Sequence, residues 1–109
     1  MNIEQAITLE PKLQAAVDEL AGIIAARYPG TAFRVSHHPD ETGMVLLDAI
    51  VDMDDTEPVN DLILERMEQL RLDEGVPILV IPLRTPERVA RLREAMQTAR
   101  RATVPAALP

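Results

Sequence analysis

A chain of 109 residues with 47% apolar and 27% charged side chains has the size and balance of one folded domain rather than of a disordered segment. It contains no cysteine, which excludes disulfides, thiolate metal sites and thiol nucleophiles, and its one Tyr and one Phe offer no platform for stacking bases. A net charge of −7 argues against nucleic acid and anionic membranes as partners, and no apolar run approaches the roughly 18 residues that span a bilayer.

The first residues, MNIEQAITLEP, carry neither a basic start nor an apolar signal core, so a cytoplasmic protein is expected. Residues 1–8 read as an N-terminal segment, 9–100 as a single α+β domain and 101–109, which lack any period, as a loose C-terminal tail. Leu13, Val17, Leu20 and Ile24 recur at intervals of four, three and four, the stripe of an amphipathic helix. Thr8 can cap that helix, Pro11 suits its first turn, and Pro29-Gly30 stops it.

A period of two follows, with Phe33, Val35 and His37 alternating against Arg34, Ser36 and His38. After PDETG the alternation resumes as Val45, Leu47, Ala49, Val51 and Met53 against Leu46, Asp48, Ile50, Asp52 and Asp54, which predicts a β-hairpin. Pairing His38 with Met44 sets Val35 opposite Leu47, Phe33 opposite Ala49 and Arg34 opposite Asp48. One apolar face and one cross-strand ion pair result together.

Thr56-Glu57-Pro58 opens a second helix with a capping hydroxyl, an acid at the positive end of the dipole and an early proline. Its stripe is Val59, Ile63, Met67 and Leu70, with Leu62 alongside, and Gly75 ends it. Residues 76–83, VPILVIPL, are continuously apolar, as in a strand covered on both faces, with Pro77 and Pro82 marking its ends. Thr85-Pro86-Glu87 starts a third helix, on which Val89, Leu92 and Met96 are expected to face inward. The expected fold is two-layered, of order α-β-β-α-β-α. Its three-stranded mixed sheet is a hairpin plus a third strand parallel to the second, with helices on one face.

Charge is uneven along the chain. Residues 40–74 hold twelve acids against Arg66 and Arg71, whereas residues 84–101 hold six arginines against Glu87 and Glu94. Asp48, Asp52 and Asp54 share a strand face, with Asp61 on the following helix, and such oxygen ligands suit Mg or Mn. Acids beside a helix N-terminus also stabilise its dipole without any ion. Arg84, Arg88 and Arg91 fall at helical spacing, with Arg93, Arg100 and Arg101 nearby, a stripe able to grip phosphates or an acidic partner.

AIVDMDDT, residues 49–56, resembles the nucleophile motif of haloacid-dehalogenase-type phosphatases. That resemblance implies Asp52 as nucleophile, Asp54 as acid/base and Thr56 on the phosphate. It departs from the pattern at Asp55, where a Gly is usual, and the later Lys that such enzymes need is missing, since Lys12 lies upstream. Ser36, His38 and Asp48 name the residue types of a hydrolase triad, but flat strand positions give no sharp turn to present the Ser and no oxyanion loop follows. The element order is similar to that of type II KH-like and BolA-like domains, without the GxxG loop or basic sheet that would imply their nucleic-acid binding.

The sequence therefore points first to a non-enzymatic interaction or regulatory module, a homodimer or the binder of another protein. It would use Leu46 and Ile50 on the outer hairpin face together with Arg84, Arg88 and Arg91. Two alternatives stand beside it: a divalent-metal enzyme or sensor centred on Asp48, Asp52, Asp54 and Asp61, and nucleic-acid binding through the Arg-rich helix. No catalytic residue and no cofactor besides that candidate metal emerge from the motifs.

Overall fold

In the computed structural model, which describes residues 2–103, the apolar periods resolve into seven regular elements. They are β1 (Asn2–Gln5), α1 (Pro11–Arg27), β2 (Ala32–His37), β3 (Val45–Val51), α2 (Glu57–Glu68), β4 (Ile78–Arg84) and α3 (Pro86–Thr103). The sheet has the order β1-β2-β3-β4, with β1 parallel to β2, β2 antiparallel to β3, and β3 parallel to β4. It is thus four-stranded rather than three-stranded. The added strand comes from the segment read as preceding the domain, where Ile3 pairs with Phe33 and Gln5 with Val35. By taking the outer side of β2, β1 satisfies backbone groups that would otherwise face water unpaired.

The hairpin register is the one the side chains demand, with Arg34 opposite Asp48, Val35 opposite Leu47 and Phe33 opposite Ala49. The His38 N–H donates to the Met44 carbonyl at 2.9 Å and closes the ladder. α1 and α2 pack side by side on one face of the sheet. Leu20, Ile24, Phe33, Leu47, Ile63 and Ile78 are fully buried between the layers, and the core is aliphatic apart from Phe33. Each such side chain is worth roughly 1.5–3 kcal/mol of burial, which is what holds the two layers together.

Capping departs from expectation at two helices. α1 starts on Pro11 with Glu10 before it, so Thr8 does not cap it. The hydroxyl of Thr56 caps nothing, and Asp55 instead accepts the Glu57 N–H at 3.0 Å. At the far end of α2 the helix widens into a π-turn, Gln69–Asp73, which keeps Leu70 buried, and Gly75 at φ 67° then reverses the chain. Only glycine adopts that left-handed conformation without strain.

Three further expectations are corrected. Pro82 does not end the last strand but sits inside it, opposite Ala49, tolerated because β4 lies at the border of the sheet. β4 is also covered on one face only: Ile78 and Val80 are buried, whereas Leu79, Ile81 and Leu83 are half-exposed. α3 does not turn its stripe inward. Val89 and Met96 are exposed and Leu92 is half-buried, because α3 leaves the body rather than packing on it. The molecule measures 63 × 30 × 27 Å as a result. The tail is helical to Thr103 and beyond that lies outside the described residues. No helix among the described residues is long and apolar enough to cross a membrane.

Candidate interaction surface

Strand alternation puts Arg34 and Ser36 of β2, Leu46, Asp48 and Ile50 of β3, and Leu79, Ile81 and Leu83 of β4 on the face away from α1 and α2. Among the described residues no helix lies on this face. Its centre is the Arg34–Asp48 pair, in which both Nε and a terminal nitrogen of Arg34 donate to one Asp48 oxygen at 3.2 and 2.9 Å. The Asp48 side chain is 11% exposed and that of Arg34 52%, so the carboxylate depends on its partner and the guanidinium also meets water. Aliphatic side chains run round this polar bar without a break, from Leu46 and Leu79 past Ile81 beside Asp48 to Ile50 and Leu83.

Where β3 and β4 end, Arg88 in the first turn of α3 reaches back to Asp52 and Asp54, at 2.9 and 2.7 Å. Its hydrogen bond and charge hold the Asp52 carboxyl below the usual carboxylate range. In turn, the hydrogen bonds to Asp54 and Asp52 raise the pKa of Arg88. Arg84 donates from Nε to the Asp54 carbonyl, and the Thr85 hydroxyl accepts the Arg88 N–H at 3.3 Å, as a helix cap should. A groove of about 510 Å³ opens between the uncovered sheet face and α3, with Ile50 and Leu83 as its floor and Arg34, Arg84 and Arg93 around it. A second hollow of about 390 Å³ runs further along α3 beside Val89, Leu92 and Met96.

The residues singled out from sequence fall into these surroundings unevenly. Asp48 is engaged by Arg34, Asp52 and Asp54 by Arg88, and Asp61 stands exposed on α2. The described residues contain no group of three His, Asp or Glu side chains that converge to hold an ion. Arg84, Arg88 and Arg91 do not form one helical stripe, because Arg84 is the last residue of β4 and Arg88 is turned onto the acids. Leu46 and Ile50 lie on the open face as the alternation requires. His37, which shares the alternation of the buried Phe33 and Val35, is exposed. It borders a hollow of about 390 Å³ shared with Lys12, Leu13 and Val76. The ring of His38 belongs to the hairpin turn, where Nδ1 accepts the N–H groups of Asp40 and Glu41 at 3.0 and 3.1 Å.

The chain matches no protein-family model, no curated protein and no solved structure.

Sequence reasoning missed Glu4 and the Arg66 bridge here, and named Arg93 only as a neighbour of the arginine stripe. Glu4 pairs in register with Arg34 and so joins the open face. Arg93 borders the groove and makes no ion pair among the described residues. Arg66 of α2 bridges Glu19 of α1 and Glu74, the latter at 2.8 Å, and Lys12 donates to the Glu74 carbonyl at 2.6 Å, tying the two covering helices together. Residues 47 apart meet in that bridge, and no local pattern announces such a meeting.

Proposed function

We propose that this chain is a non-enzymatic interaction module that works as a homodimer and holds its partner on the uncovered sheet face. The observation that supports this reading is the one-sided cover of the sheet: α1 and α2 bury one face, while Leu46, Ile50, Leu79, Ile81 and Leu83 stay half-exposed on the other. The unalternated run of β4 is the sequence of a strand covered on both faces, and one copy of the chain covers only one. Contiguous aliphatic surface rimmed by charge is the usual mark of a protein contact.

Between about a tenth and a third of each of those five side chains is still exposed, and covering it yields roughly 1–5 kcal/mol at the usual burial worth. Association costs about 4–15 kcal/mol in lost freedom, so the face alone makes a weak dimer and a second contact has to add to it. The charge of Arg88 is paired within the chain by Asp52 and Asp54, which leaves less of the arginine stripe for nucleic acid.

Light scattering on a size-exclusion column, from about 1 to 100 μM, tests the reading. It predicts a mass that rises to twice the 12.1 kDa of the chain. A monomer across that range overturns it.

A further inference from the structure

We infer that in the dimer the two α3 helices are exchanged, each lying across the open sheet face of the other copy; this rests on the homodimer reading above. α3 borders its own sheet only across the groove, where Val89, Ala90 and Arg93 stand beside Ile50 and Leu83 and Val89 stays exposed. A single residue, Thr85, joins it to β4, and the Arg88 bridges to Asp52 and Asp54 fix its first turn where β3 and β4 end. From there the helix runs outward, which is why the molecule is 63 Å long and only 30 Å wide.

The projecting helix carries its own unfilled stripe. Val89, Leu92 and Met96 are spaced three and four apart, the spacing that packs against one neighbour, yet Met96 is 68% exposed. The sheet face lacks a covering helix and α3 lacks a surface to cover, so one arrangement fills both in two copies. Helix-on-sheet packing is also what the other face of this sheet already uses.

Charge selects this arrangement over helix-to-helix pairing. Residues 86–103 hold five arginines against two glutamates, a net +3, whereas residues 1–85 hold six basic residues against sixteen acids, a net −10. Two α3 helices side by side would bring like charge together, while α3 on the partner's body brings opposite charge together. On the receiving face Glu4 is the exposed acid that an arginine of the helix can meet, whereas Asp48 is already taken by Arg34.

Length is sufficient. The 18 residues of α3 make a rod of about 27 Å, enough to cross four strands spaced about 4.8 Å apart. Two reciprocal footprints about 10 Å wide, counted on both copies, come to roughly 1,100 Å² for the whole helix and about 800 Å² once its first turn stays on its own copy, the size of a weak contact.

The native chain has no cysteine, so single introduced cysteines report contacts without background. Ile81→Cys and Met96→Cys are placed in separate, differently tagged full-length chains, which are mixed, allowed to exchange and oxidised. Exchange predicts that the mixed Ile81→Cys/Met96→Cys disulfide forms in excess over either like pair. A like pair in excess, in a sample that light scattering finds dimeric, overturns the exchange and leaves the dimer standing. A monomeric sample overturns both. Met96→Asp, on an exposed helix face where the fold does not depend on it, gives a second measure: an unchanged circular dichroism spectrum and a dimer dissociation constant raised tenfold or more. An unchanged dissociation constant overturns the exchange.

Discussion

Removing either partner of the Arg34–Asp48 pair should have unequal consequences, because the two sit at different depths. Asp48 keeps 11% of its side chain exposed and receives both guanidinium bonds on one oxygen, at 3.2 and 2.9 Å. In Arg34→Ala that carboxylate stays in the face without its donors. A buried acceptor left unpaired costs about 1–3 kcal/mol, with the lost cross-strand contact included in that range. In Asp48→Asn the neutral amide still accepts a bond, and the half-exposed Arg34 rehydrates, so the loss should stay below about 1 kcal/mol. Urea unfolding at neutral pH and dilute protein reads the difference directly. With a slope of about 1–2 kcal/mol per molar, Arg34→Ala should lower the midpoint by about 1 M and Asp48→Asn by less than half of that, with slopes unchanged. Equal losses, or a greater loss in Asp48→Asn, would refute the reasoning from depth.

Two more outcomes follow from local geometry. The carboxyls of Glu19 and Asp52 are held below the ordinary range by their hydrogen bonds to Arg66 and Arg88 respectively. The unfolded chain therefore binds more protons than the folded one in that range. The stability these groups contribute is present above about pH 5 and drains as pH falls through the carboxylate range towards their lower folded values. Replacing them by Gln and Asn should flatten the acid limb of a stability-versus-pH curve, and an unaltered limb would count against the assignment. Gly75→Ala keeps φ 67° but meets no atom within 4 Å of the new Cβ, so its cost is conformational alone, about 1–2 kcal/mol in a thermal melt. No loss at all would mean that the turn after the π-turn adopts some other backbone.

Much of this fold is legible in the residues because the information is local and periodic. Phe33, Val35, Leu47 and Ala49 fix both the hairpin and its register, since shifting by one residue would turn every one of them to water. β1 hides because only four residues pair and Gln5 interrupts the apolar alternation of Ile3, Ile7 and Leu9, although that alternation is visible once its partner is known. α3 misleads for the opposite reason. Its stripe of Val89, Leu92 and Met96 is real, but a stripe says only that a helix has a partner, not that the partner belongs to the same chain. At the surface, the cross-strand pair Arg34–Asp48 could be read from register. The engagement of Asp52 and Asp54 by Arg88, more than thirty residues on, depends on how β3 and β4 end side by side.

The outer border of β4 limits how copies of this chain can join. Along it the N–H of Ile78 donates to the Val76 carbonyl and that of Val80 to the Met67 sulfur, while Pro82 has no N–H to offer. A strand arriving from another molecule would find carbonyls there but no run of free donors to complete a ladder. β1, at the opposite border, offers only four residues. The sheet is thereby discouraged from growing sideways into a continuous ribbon, and a chain with a bare aliphatic face keeps its contacts closed and countable.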